Sequence, residues 1–182
     1  MRLFLQIVTS LVVIAYPLAV YFGLHYLPAG SIALALCAIL IIRLLLQQQK
    51  VKALMLPIIV GIGLTAGSFI AKQNDWLLFY PVVINLTMLA LFAYSLKHGP
   101  SMIERLARLK EPDLPDEAIS YLNKVTLIWC GLFIFNGLMA LYTALYTSIE
   151  TWTLYNGLIA YLLIGSLLGG EWLYRTIWLK KS

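Results

Sequence analysis

ISYLNKVTLIWCGLFIFNGLMALYTALY, residues 119–146, decides the fold. From Val125 to Tyr146 the run holds no charged residue. A helix needs about 20 mostly apolar residues to cross the hydrocarbon core of a bilayer. Asp116 and Glu117 stand just before the run, where negative charge suits a helix N-terminus.

Outward from that stretch the pattern repeats. Toward the C-terminus a second apolar run covers residues 153–178. Toward the N-terminus lie residues 76–96, 53–71, 30–46 and 3–24. Pro81 falls in the first turn of 76–96, where proline is tolerated. Arg2 before the run 3–24 looks like the start of a signal peptide. The run is too long for an h-region of about 7–15 residues, so it reads as an uncleaved span. The expected fold is all-α: residues 1–182 form a single transmembrane domain with six transmembrane helices.

Composition agrees. The chain has 182 residues, of which 62% are hydrophobic and 12% charged. An average soluble domain carries about 25% charged residues. Among the 13 Lys and Arg, six spans put only Lys72 on one side and the other twelve on the opposite side. Basic loops stay in the cytoplasm. Both termini are therefore expected there, in a bacterial inner membrane. The net charge of +5 marks cytoplasmic loops rather than a nucleic-acid surface.

The longest break between spans is 97–118. Ser101 and Glu104 have the spacing of a capping box, in which Ser101 caps and Glu104 reaches back. The segment 101–110 reads as a short cytoplasmic amphipathic helix. Met102, Ile103, Leu106 and Leu109 fall on one side, and Arg105, Arg108 and Lys110 on the other. Such a helix suits an anionic leaflet or an acidic partner.

Ionisable residues inside spans are functional candidates. Glu171 and Arg175 are four apart, so they share one helix face. With Arg105, Arg108, Lys110 and Lys124 they form the candidate headgroup or partner site. Asn85, Asn136 and Asn156 are the candidate structural polar residues, able to hydrogen-bond between helices. Gly63 with Gly67, and Gly165 with Gly169, have the spacing of close helix packing. They bring two helices of this chain together or, alternatively, form a homodimer.

Catalytic and cofactor motifs are missing from the sequence: no HExxH, GxSxG or P-loop pattern occurs. Cys37 and Cys130 lack metal-site or CxxC spacing. His25 and His98 belong to opposite membrane faces. No cofactor or metal is expected.

A resemblance covers residues 95–175. It rests on Ser95-Leu96, Ile103-Glu104-Arg105, Pro112-x-Leu114-Pro115, Tyr121, Val125-Thr126, Trp129 and Asn136-Gly137. It continues through Ala140, Trp152, Tyr155-Asn156-Gly157, Gly165, Glu171 and Arg175. In these the chain resembles an uncharacterised family of bacterial inner-membrane proteins found with gene clusters for aryl-polyene or fatty-acid-like lipids. More distantly it is similar to the intracellular septation protein family. The resemblance implies an envelope-associated membrane protein. Together with the basic segment 101–110 and the missing catalytic motifs, it leads to an expected accessory or scaffold protein of cell-envelope lipid synthesis. Membrane lipids would be its partners, and Arg105, Arg108 and Lys110 would offer a landing site to an acidic acyl carrier protein. A small amphiphile transporter, and a membrane enzyme acting on a lipid headgroup, are the alternatives.

Overall fold

The computed structural model describes residues 16–26, 31–46, 56–71 and 74–179. Every regular element among the described residues is helical. The chain runs through α1 (Tyr16–Tyr26), α2 (Ser31–Leu46) and α3 (Leu56–Ala71). A 3-10 turn, Asn74–Phe79, leads into α4 (Tyr80–His98). The short α5 (Met102–Ala107) precedes the long α6 (Asp116–Tyr146). Then α7 (Ile149–Leu154) passes through a π-helical turn, Tyr155–Ile159, into α8 (Ala160–Tyr174). A second π turn, Arg175–Leu179, follows.

Three rods are long and apolar enough to cross a membrane: Trp76–His98, Asp116–Tyr146 and Ile149–Ile177. They match the expected spans 76–96, 119–146 and 153–178, with earlier starts on the last two. Local chemistry explains those starts. Pro115 precedes Asp116 and Glu117 in the first turn of α6. Ser148 caps α7 by accepting from the Thr151 N–H at 3.4 Å. With 31 residues, α6 is about 46 Å long. That exceeds the hydrocarbon core of about 30 Å, so α6 crosses such a core either tilted or with an end beyond it.

The described parts of the other expected spans are α1, α2 and α3, with 11, 16 and 16 residues. Sixteen residues rise about 24 Å, less than that core. The described residues therefore hold three rods of spanning length rather than six. Arg2, Lys50, Lys52, Lys72, Lys180 and Lys181, which enter the charge count, lie outside the described residues.

The most extensive helix pair is α4 on α6. Gly137 permits the approach: a Cβ there would stand 3.3 Å from the Asn85 Cβ. Two buried clusters hold the bundle. At one end Val20, Leu40, Ile58, Leu77, Tyr80 and Trp152 pack together. At the other, Phe92, Met102, Val125, Trp129, Cys130 and Phe133 do so. Leu127, Leu138, Leu145, Leu154 and Leu162 point outward instead. So many exposed apolar side chains fit a lipid surround rather than water.

The small-residue pairs divide. A Cβ on Gly67 would stand 3.3 Å from the Trp76 ring, so that glycine makes room for a neighbour. Gly63, Gly165 and Gly169 have nothing within 4 Å of such a Cβ.

Candidate functional site

At the α5 end, short-range chemistry sets the geometry. Gly99 takes φ +30°, a left-handed conformation that glycine tolerates. The chain turns there from α4 into α5. The first N–H groups of a helix have no partner inside it. Here side chains of the two long helices supply them. The Met102 N–H donates to Ser95 Oγ at 2.8 Å, and the Ile103 N–H to Thr126 Oγ1 at 3.4 Å. Met102 is thereby buried against α4 and α6 rather than turned to a leaflet surface. Ser95→Ala would leave the Met102 N–H buried and unpaired, at a cost of about 1–2 kcal/mol. The expected result is faster hydrogen exchange through Met102–Ala107. Unchanged exchange would refute this anchoring.

The expected helix over 101–110 ends at Ala107, and residues 108–110 form a turn. Half of the capping box forms. Ser101 Oγ accepts from the Glu104 N–H at 3.4 Å. The Glu104 carboxylate turns away from Ser101 and accepts from Arg108, with Nε and Nη2 both at 2.8 Å from Oε1. A full charge attracts that carboxylate more strongly than a backbone N–H does.

The candidate cations therefore separate. Arg105 donates to the carbonyls of Pro100, at 2.7 Å, and Gly99, at 3.4 Å. Arg108 holds Glu104 and also donates to the Pro112 carbonyl at 2.9 Å. Both arginines brace the 99–112 segment. Lys110 and Lys124 are exposed and make no ion pair among the described residues. Arg175 Nε stands 3.9 Å from Glu171 Oε1 and remains half exposed. Glu171 also accepts from the Tyr121 hydroxyl at 3.4 Å. The Tyr121 ring stacks on Tyr174, with centroids 5.7 Å apart.

Two cavities meet beside α5. The first, of about 600 Å³, is a basin walled by Lys110, Glu111, Glu171, Trp172, Arg175 and Thr176 over an apolar floor. It gathers Lys110, Glu171 and Arg175 from the expected set. Arg105, Arg108 and Lys124 do not line it. The second, of about 520 Å³, is an apolar groove among α4, α6 and α8, with Phe92, Phe133, Tyr161 and Ile164 in its walls. Ile103, Leu106, Trp129 and Leu168 line both. Along α8 the groove runs from the level of Leu168 to that of Asn156, about 18 Å.

At the far end of the groove stand Asn85, Asn136 and Asn156. Asn85 Nδ2 donates to the Pro81 carbonyl at 2.8 Å. Asn136 Oδ1 accepts from the Tyr155 hydroxyl at 2.9 Å. Asn156 Nδ2 donates to the Trp152 carbonyl at 2.9 Å and to Thr143 Oγ1 at 3.3 Å. The π turn begins at Tyr155, and both Tyr155 and Asn156 are buried. An α-helix points successive side chains about a quarter-turn apart, and the wider π turn shifts that register. The sequence singled out these asparagines only as bonds between helices. Their convergence on one cavity had no local signal.

Among the described residues no group of His, Cys, Asp and Glu is placed to hold a metal ion. His98 is exposed and stacks on Tyr94, and the His25 side chain lies outside the description. No family model, curated protein or solved structure matches the chain.

Proposed function

We propose that this chain is a six-span protein of the bacterial inner membrane that seats a single-chain amphiphile at its cytoplasmic rim. Both termini are cytoplasmic in this reading, and the protein is an accessory of cell-envelope lipid synthesis. The carrying observation is the junction of a charged basin with an apolar groove through Ile103, Leu106, Trp129 and Leu168. A headgroup and a tail need that sequence of surfaces. The basin holds both signs of charge, Lys110 and Arg175 beside Glu111 and Glu171. It suits a phosphate with an attached amine better than a bare anion. The groove length of about 18 Å compares with about 15 Å for one leaflet's share of the hydrocarbon core. The charge asymmetry of the loops supports the orientation, and the family resemblance supports the envelope-lipid setting. Lys110, outside any ion pair among the described residues, is also where an acidic acyl carrier protein would touch.

The test uses the purified protein in detergent and a doxyl-labelled stearate that quenches Trp129. Lysophosphatidylethanolamine is expected to displace the label and restore fluorescence. Removing both cations with Lys110→Ala and Arg175→Ala should raise the concentration needed about thirtyfold, at about 1 kcal/mol per cation. The Trp129 contribution is the quenching lost in Trp129→Phe, while the other four tryptophans, Trp172 of the basin among them, remain. Equal displacement in the double variant would remove the headgroup assignment, and no quenching of Trp129 would remove the groove as a tail site.

A further inference from the structure

Resting on that reading, we infer that the deep end of the groove recognises a polar group, a hydroxyl or carbonyl, carried part-way along the amphiphile's tail. The argument starts from Asn136. Its side chain is 2% exposed and lines the groove. Its Oδ1 is occupied by the Tyr155 hydroxyl. Its Nδ2 has no hydrogen-bond partner among the described residues and is not fully enclosed, so it is open to an acceptor in the groove. With the Tyr155 hydroxyl donating to Oδ1, Nδ2 is the atom left to donate elsewhere.

Opposite chemistry stands close by. Asn85 and Asn156 both have Nδ2 committed to helix carbonyls, at Pro81 and Trp152. Their Oδ1 atoms remain as acceptors without a partner among the described residues. The close approach of Gly137 to the Asn85 Cβ brings α4 and α6 together at this level. A largely apolar lining, with the Tyr161 hydroxyl also in it, thus brings together one amide donor and two amide acceptors. A ligand hydroxyl would accept from Asn136 and donate to Asn85 or Asn156. A ligand carbonyl would use the Asn136 donor alone. A plain methylene chain would satisfy none of them.

This arrangement discriminates between tails. A site built to bond a hydroxyl disfavours the analogue that lacks it, because its own polar groups stay unpaired. The partners here are uncharged, so the preference is modest, about fivefold to tenfold.

Displacement of doxyl-stearate from Trp129 reads the preference directly. Two competitors share one headgroup: lysophosphatidylethanolamine with a plain acyl chain, and the same lipid with a mid-chain hydroxyl. Wild type is expected to favour the hydroxylated lipid about fivefold to tenfold. Asn136→Leu should equalise the two while still binding the plain lipid, which also reports that the variant is folded. Asn85→Ala, at a half-buried position, should reduce the preference and serves if Asn136→Leu does not fold. Equal affinities in wild type would overturn this inference and leave the headgroup basin standing. A preference that survives both substitutions would overturn it as well. If neither lipid displaces the label, the amphiphile reading fails and this inference falls with it.

Discussion

Trp152→Ala is expected to destabilise the bundle by about 3 kcal/mol, the lower end of the range for removing a buried tryptophan. Trp152 is 1% exposed and packs in a cluster with Val20, Leu40, Ile58, Leu77 and Tyr80. Those residues come from α1, α2, α3, the 3-10 turn and α4. One indole therefore helps tie α7 to much of the N-terminal half. The lower end applies because helices in lipid gain little from hydrophobic transfer. The loss is in close contacts and in the cavity left behind. Trp152→Phe keeps most of the volume but loses the indole N–H, which donates to the Leu78 carbonyl at 3.0 Å. That change should cost about 1 kcal/mol. Thermal denaturation in detergent, followed by loss of the monodisperse peak in size-exclusion chromatography, should rank wild type above Trp152→Phe and that above Trp152→Ala. Equal melting of the two variants would show that packing volume is not what Trp152 contributes.

The same contrast between local and distant information explains what the sequence made legible. The rods Trp76–His98, Asp116–Tyr146 and Ile149–Ile177 are nearly continuous apolar runs bounded by Gly99-Pro100, Pro115 and Ser148. Their signals are local, so they could be read directly. Ser101 as a cap was legible for the same reason. The fate of Glu104 was not, because two partners within four residues compete for one carboxylate and only geometry decides between them. Arg105 and Arg108 resemble free surface cations in any pattern of charges. Only the fold shows their guanidinium groups turned back on Gly99, Pro100, Glu104 and Pro112. The groove lay further still from the sequence. Asn85, Asn136 and Asn156 come from α4, α6 and the π turn, and they meet through the packing of all three.

Glu104 and Arg108 give a prediction with a built-in asymmetry. The Glu104 side chain is 6% exposed, whereas that of Arg108 is 37% exposed. Arg108→Met strands a buried carboxylate, since Arg108 is its ion-pair partner among the described residues. Breaking a fully buried pair costs about 3–5 kcal/mol. The partial exposure of Arg108 lowers the expected figure to about 2–3 kcal/mol. Glu104→Met strands a guanidinium that already reaches solvent and keeps the Pro112 carbonyl, so about 1 kcal/mol or less is expected. The double variant replaces the pair with apolar side chains of similar length, a change that is often nearly neutral. Its melting temperature should therefore lie close to that of Glu104→Met and well above that of Arg108→Met. The consequence reaches the site, because α5 carries Ile103 and Leu106, which line both cavities. Displacement of doxyl-stearate should weaken in Arg108→Met and recover in the double variant. If Arg108 instead bound the headgroup itself, the double variant would regain stability without regaining binding. A double variant as unstable as Arg108→Met would show that the stranded carboxylate is not the source of the defect.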